Sequence, residues 1–430
     1  ELDKLEIIIE GGTYTEYPKD YLEKFHRDLI YCANTYFDSI KREPYDIDRE
    51  IFLNKKSKVR IIGICIETRP DALIDDDGVS WLSLFRKWGV TRVQLGVQHT
   101  DNDILKKVNR GHTFEQACEA VKYLKDNCFK VDVHLMPDLP GSNPELDKDM
   151  IDIVFNTPLL QPDQIKIYPC EVVPWTIIQK WFQNGKYKPY AQSNERGLLD
   201  VVKYAMELCP PWIRLPRVIR DIPLHYIEGG NMYPNLRQML MDELKKEGKE
   251  TMDIRARECG RNINYDINDS IYVTRCYEAN DSIEYFISCE SEDYKCIFGF
   301  IRLRIQSLYA DLEFPCLKNH GLIRELHVYG NLVPVGYQKN KETQHKGIGK
   351  KLLAMAEDIA CYKHNLDGVA VISGIGVMDY YKKNGYHYKN TFMIKKFYTK
   401  YVYIICGLII LSVCSYILYY IHKFENLHYI

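Results

Sequence analysis

From residue 7 to about residue 220, short apolar runs alternate with stretches of helical periodicity. The runs cover residues 7–10, 61–68, 92–98, 131–137, 164–169 and 214–220. Between them lie amphipathic segments such as residues 113–127. There Phe114, Ala117, Val121 and Leu124 recur at helical spacing, and Thr113 with Gln116 makes a capping box. Repeated strand-then-helix units predict a parallel sheet or barrel with helices outside. In such a barrel, polar residues at the C-terminal ends of strands are functional suspects. Gly11-Gly12-Thr13, Glu67 to Asp71, Gly96 to Gln98, His134 with Asp138, and Lys166 with Tyr168 all stand at such ends. Each alone is as readily a strand cap; together they predict a polar mouth on an apolar barrel.

The pattern loosens over residues 222–270, which include a charged stretch at 241–261 and read as a partly helical connecting module. Residues 271–397 then read as α+β, with strands near 271–276, 297–303 and 323–328, a strong helix at 351–363, and a strand–turn–helix. Residues 401–421 run without a charge, which at about 1.5 Å per residue spans a hydrocarbon core of roughly 30 Å. Tyrosines crowd both ends, and Lys395, Lys396 and Lys400 precede the run. This predicts a transmembrane tail anchor followed by a short tail at 422–430, with residues 1–221, 222–270 and 271–397 as barrel, linker and α+β domain. The catalytic body would then face the cytoplasm from the mitochondrial outer membrane or the endoplasmic reticulum.

Composition narrows the classes. Hydrophobic residues at 46% and charged residues at 27% exclude a disordered or collagenous chain, and a net charge of −2 confines any nucleic-acid contact to a local surface. Arg214, Arg217 and Arg220, at three-residue spacing in a run without acids, are the local candidates for RNA phosphates. The opposing reading pairs them with acids of the linker. The fourteen cysteines have no metal-ligand spacing: the closest pair is Cys289 and Cys296, so no metal ligands are assigned. The first residue, Glu1, falls in a strand approach, so N-terminal sequence is expected to be missing.

The sharpest chemistry lies at Gln344-His345-Lys346-Gly347-Ile348-Gly349-Lys350, directly before the strong helix. Glycines at a helix N-terminus let backbone N–H groups converge on an anion such as pyrophosphate. Glu325-Leu326-His327-Val328 forms a strand before this loop, and Met378-Asp379-Tyr380-Tyr381-Lys382-Lys383-Asn384-Gly385-Tyr386 follows it. These parts in this order resemble the GNAT acetyltransferase superfamily. The resemblance implies that Glu325, Leu326, His327 and Val328 hold the pantetheine arm of acetyl-CoA, and that Gln344, Gly347, Ile348, Gly349 and Lys350 hold its phosphates. It places Tyr381, with Tyr380 as second choice, near the thioester sulfur. Glu325 and His327 are also candidate acid/base groups, with simple strand packing as the alternative.

The two halves together are similar to one family, the catalytic subunits of Elongator, which join a radical SAM barrel to an acetyltransferase. The resemblance rests on Ile9 to Thr13, Ile66 to Asp71, Leu95 to Gln98, Asn109 to Thr113, His134 to Pro140, Lys166 to Pro169, Arg220 to Pro223, Arg324 to Gly330 and Val371 to Gly374. It implies a tRNA carboxymethyluridine synthase using acetyl-CoA, S-adenosylmethionine and a [4Fe-4S] cluster at wobble uridine 34. It further implies S-adenosylmethionine at Gly11, Gly12 and Thr13, a contact of Lys4 with acetyl-CoA, and tRNA, other Elongator subunits and a second copy as partners. The cluster cysteines, expected upstream of Gly11, are absent from this sequence. A protein lysine acetyltransferase and a membrane-bound scaffold without radical activity remain the rival readings.

Overall fold

The structure, a computed structural model, describes residues 3–261, 265–329, 347–397 and 409–418. Its first half is a six-stranded, all-parallel sheet: β1 (Lys4–Ile9), β2 (Arg60–Thr68), β3 (Arg92–Gln98), β4 (Lys130–Leu135), β5 (Gln164–Ile167) and β6 (Arg214–Arg217), in that spatial order. Strand order equal to chain order is what right-handed strand–helix units produce when the sheet curls into part of a barrel. The helix Phe114–Asp126 carries the expected capping box, with Thr113 and Gln116 each satisfying the other's backbone N–H.

Alternation along the strands sorts the side chains. Ile64 and Ile66, Val93 and Leu95, Val131 and Val133, Ile165 and Ile167 all join the core under the helices. The intervening residues (Cys65 and Glu67, Arg92 and Gln94, Asp132 and His134, Gln164 and Lys166) therefore face inward. The interior is polar to its floor, unlike the expected apolar barrel with only a polar mouth. One sheet face suffices for the helices, so the other was free to carry chemistry.

The second half is a seven-stranded mixed sheet of β7 (Ser270–Ala279), β8 (Ser282–Ser291), β9 (Ile297–Ile305), β10 (His320–Val328), β11 (Gly368–Val371), β12 (His387–Lys389) and β13 (Phe392–Lys396). Its spatial order is β12-β13-β11-β10-β9-β8-β7. The segment read as a connecting module belongs partly to the first half. Its helix Leu236–Lys246 buries Leu236, Leu240 and Leu244 in the barrel core, and Glu243 pairs with Arg196 of the helix Glu195–Leu208 at 2.9 Å.

The two halves meet through buried charge. Arg324 of β10 grips Asp163 with two bonds of 2.5 and 2.7 Å and reaches Glu284 at 2.7 Å. Arg304 joins Asp126 at 2.6 Å and Glu284 at 3.0 Å, and Lys125 adds a bond to Glu284 at 3.1 Å. The backbones also touch. A Cβ on Gly374 would sit 1.9 Å from the Ile62 carbonyl oxygen, where neither chain can yield cheaply. Gly374→Ala is expected to cost about 1–3 kcal/mol, read as a lower denaturant midpoint; an unchanged midpoint would show that the seam gives way.

The membrane reading is corrected here. Among the described residues no helix is long and apolar enough to cross a membrane. The described part of the apolar run is helical over residues 409–418 only, ten residues that rise about 15 Å, half of a roughly 30 Å hydrocarbon core. The rest of 401–421, and the tail at 422–430, lie outside the described residues. The transmembrane anchor, the membrane partner and the tail-anchored localisation drawn from it are therefore not supported.

Candidate functional site

β10 and β11 pair in parallel only from His320↔Gly368 to Ile323↔Val371. A bulge between Ile323 and Glu325 then turns β10, which continues against β9 alone through Val328. The two strands diverge, leaving the β11-facing backbone of Glu325 to Val328 free to pair with an extended ligand. The helix Ile348–Asp358 starts at this opening. Gly347 is its N-cap with φ +76°, a left-handed conformation that glycine adopts without strain. Gly349 lies so close to Tyr380 that an added Cβ would stand 2.7 Å from the phenol oxygen. Ile348 is buried and Lys350 exposed, while Gln344 lies outside the described residues.

A cavity of about 300 Å³ joins this opening to the floor of the barrel. Glu325, His327, Tyr329 and Tyr381 line one side, and Glu6, Arg92, Lys130, Gln164 and Arg214, from five barrel strands, line the other. Glu325 is clamped from both halves, by Lys130 at 2.5 Å and Arg302 at 2.9 Å. Burial pushes its carboxyl up, but those two cations outweigh it and hold the pKa at about 2. A carboxylate so held is a poor base. His327 stacks on Phe300 at 5.9 Å and leans on Tyr329 at 4.4 Å. Enclosure by the cavity walls lowers its pKa, with Glu325 opposing, so the ring is neutral near pH 7. Burial raises the Tyr381 phenol well above its usual range and keeps it protonated; Tyr380 is shifted the same way but stands more open. Lys4 lies exposed on β1, on the Glu6 face at the cavity rim.

A second polar group occupies the mouth. The Gly11 N–H donates to Glu67 at 3.4 Å, and Lys166 contacts Glu67 at 3.3 Å and Glu10 at 3.7 Å. His134 bonds Gln94 at 2.9 Å. Burial, with Lys166, Arg220 and Arg110 nearby, lowers its pKa to about 3. A space of about 160 Å³ lies beside Gly11 and Gly12, edged by Tyr14, Tyr17, Tyr21 and Phe25. Neither glycine would bring a Cβ within 4 Å of another atom, which leaves their backbone open to a ligand. Thr13 caps the short turn that follows.

The three arginines separate. Arg214 lies in the cavity, bonded to Glu258 of the linker at 2.8 Å, as the salt-bridge reading expected. Arg217 pairs with Asp221 at 3.3 Å, and Arg220 is exposed near the mouth. Sequence reasoning missed Arg92, Lys130 and Gln164 at the floor. Their signal was present as polar residues at period two within the apolar runs.

Comparison with known proteins fits this architecture. The radical SAM superfamily profile matches residues 11–154, and the radical SAM C-terminal domain profile matches residues 162–246. Elongator complex protein 3 of Homo sapiens is 35% identical over 402 residues, covering 92% of this chain and 70% of the relative. The tRNA uridine(34) acetyltransferase of Methanocaldococcus jannaschii is 36% identical over 399 residues, covering 91% and 71%. The chain belongs to the Elongator complex protein 3 family. The solved structure of archaeal Methanocaldococcus infernus Elp3 with an N-terminal deletion (1–46) superposes with TM-score 0.81 at 34% identity, covering 92% of this chain and 91% of that one.

Radical SAM membership implies S-adenosylmethionine and a [4Fe-4S] cluster. The open Gly11-Gly12 backbone and its adjoining space suit the first. The second does not fit the described residues, among which no three His, Cys, Asp or Glu side chains converge on a metal position. No chemical step is therefore drawn through a cluster.

Proposed function

We infer that this chain is a tRNA uridine(34) acetyltransferase that takes its acyl group from acetyl-CoA and builds a carboxymethyl group on the wobble base. The observation that carries the reading is the shared cavity: Tyr381, His327 and Glu325 from the mixed sheet face Arg92, Lys130 and Arg214 from the barrel. The N-terminal turn at Gly347, Ile348, Gly349 and Lys350, with Gln344 before it, would take the phosphates of acetyl-CoA. The free edge from Glu325 through Leu326 and His327 to Val328 would pair with the pantetheine amides. Tyr381, a protonated phenol at the thioester end, can protonate a departing thiolate, and neutral His327 can hold a water for thioester hydrolysis. Glu325 would act by tying both halves to that site. Lys4 would reach the coenzyme from the rim, and Arg217 and Arg220 would meet tRNA at the mouth. S-adenosylmethionine would lie at Gly11, Gly12 and Thr13. As in the relatives named for the Elongator complex, other subunits of that assembly are expected partners, together with a second copy of this chain.

A lysine acetyltransferase would share the coenzyme site, yet the wall facing Tyr381 carries Arg92, Lys130 and Arg214, cations that repel an incoming ammonium. Incubation with labelled acetyl-CoA, tRNA and a lysine peptide separates the two readings. Label is expected on tRNA; label on the peptide alone would refute the reading. Gly347→Glu sets a carboxylate and a strained left-handed side chain among the phosphate ligands. Acetyl-CoA affinity is expected to fall at least about 100-fold by calorimetry, an estimate from like-charge juxtaposition of several kcal/mol; unchanged affinity would count against the site.

A further inference from the structure

Glu171 follows β5 on the mouth side of the barrel, and the mechanism above leaves it without a task. Its neighbours Cys170 and Val172 fill a small apolar cluster with Ile104, Leu139 and Tyr187. In extended chain the intervening side chain points the opposite way. Glu171 is 8% exposed, and both of its carboxyl oxygens are buried without a hydrogen-bond partner. The linker closes over it: Val172 exchanges backbone bonds of 2.8 Å with Glu228 and Gly229. Gly230 packs so tightly that a Cβ there would stand 2.8 Å from the Cys170 carbonyl oxygen and 3.5 Å from Glu171 Cγ. Arg220 acts electrostatically on both Glu171 and His134, so the three side chains share the space of the mouth.

A buried carboxylate with two empty acceptor oxygens costs about 1–3 kcal/mol or more unless a donor arrives. Every buried donor nearby is otherwise engaged, and the nearest cation, Arg220, is exposed and has its own donors to offer. Burial also pushes the Glu171 pKa up to about 7, Arg220 opposing, which is what a carboxyl awaiting a partner shows. The missing partner must present an N–H next to an oxygen acceptor, so that the carboxylate and the guanidinium are both used. The imide edge of uracil does this, with N3–H flanked by carbonyl oxygens. Cytosine offers a lone pair at N3 and an amino group beside it.

We propose that Glu171 and Arg220 form a base-recognition pair at the barrel mouth, in which Glu171 accepts the N3–H of uracil and Arg220 donates to an adjacent carbonyl oxygen. The pair rests on the tRNA uridine reading and adds to it a physical basis for choosing uridine over cytidine. The amino group of S-adenosylmethionine is the competing donor. The pair, however, lies on the β5–β6 side of the mouth, whereas Gly11 and Gly12 follow β1 at the other edge of the sheet.

The test uses the full chain and two anticodon stem-loop RNAs that differ only in U or C at position 34, with affinities measured by fluorescence anisotropy at one salt concentration. Wild type is expected to prefer the U34 RNA about tenfold or more, the range of one bidentate base contact. Glu171→Leu is expected to remove most of that preference while acetyl-CoA affinity stays unchanged, and Glu171→Asp to retain part of it. A preserved U34/C34 ratio in Glu171→Leu would overturn the pair, as would equal weakening of both RNAs. Loss of S-adenosylmethionine binding with the ratio intact would assign Glu171 to the cofactor and overturn it too. Failure of wild type to bind either RNA would defeat the uridine reading itself, an outcome distinct from the others.

Discussion

Arg324→Met is expected to destabilise the protein by about 3–5 kcal/mol, the cost of stripping one partner from a buried charge network. The substitution keeps most of the apolar volume but leaves Asp163 without its two bonds of 2.5 and 2.7 Å and Glu284 without the one of 2.7 Å. Both carboxylates are fully buried, so water cannot replace the guanidinium. Chemical denaturation should show a lower midpoint and a separated transition as the seam between the halves loosens. A midpoint within 0.5 kcal/mol of wild type, the usual scale of a surface change, would show that the network carries little.

The same network fixes a pH dependence. For Glu284, burial raises the pKa, but Arg324, Lys125 and Arg304 outweigh it and hold it at about 2. For Asp163, burial is outweighed by Arg324 and Arg302, and the pKa falls below the usual carboxylate range. Depressed carboxylates contribute stability that is full above the unfolded pKa, near 4, and is lost as pH falls through the folded value. The halves should hold together at pH 5 and separate progressively below about pH 4. Arg324→Met should flatten that acid limb.

The second large effect is at Tyr381. Tyr381→Phe removes one oxygen from a buried, protonated phenol at the thioester end of the cavity. Single-turnover acyl transfer is expected to fall about 100-fold or more, within the range for loss of a proton donor. Acetyl-CoA affinity and the denaturation midpoint should scarcely change. Tyr380→Phe, whose hydroxyl stands over Gly349, should slow the same step only a few-fold. Equal losses for the two would assign both tyrosines to packing.

Local features were legible in the sequence, and long-range ones were not. The capping box of Thr113 with Gln116 spans three residues, and reading it required no knowledge of the fold. Gly347 at the start of a helix was likewise readable, since its left-handed φ serves a local turn. Lys130 and Glu325 are 195 residues apart and Asp163 and Arg324 are 161 apart, so no spacing rule joins them. Hence Glu325 looked like a free acid/base group and proves to be a clamped carboxylate. Arg214 looked like an RNA contact and is bonded to Glu258 in the cavity. The barrel interior was misjudged because the runs were read for their apolar members, while Arg92, Gln94, Asp132 and His134 alternate among them. At residues 401–421 the absence of charge was taken for a span, although absence of charge does not establish a continuous helix of sufficient length.

The central claim is that barrel and mixed sheet build one acyl-CoA site. A coenzyme A thioester bearing an electrophilic acyl group tests it on a Thr91→Cys variant, because Thr91 lies on the barrel wall of the cavity. Peptide mapping should find the acyl group on residue 91, with labelling suppressed by excess acetyl-CoA and by Gly347→Glu. Label confined to the exposed Cys32 and Cys276, or labelling of residue 91 that acetyl-CoA does not suppress, would contradict a shared site.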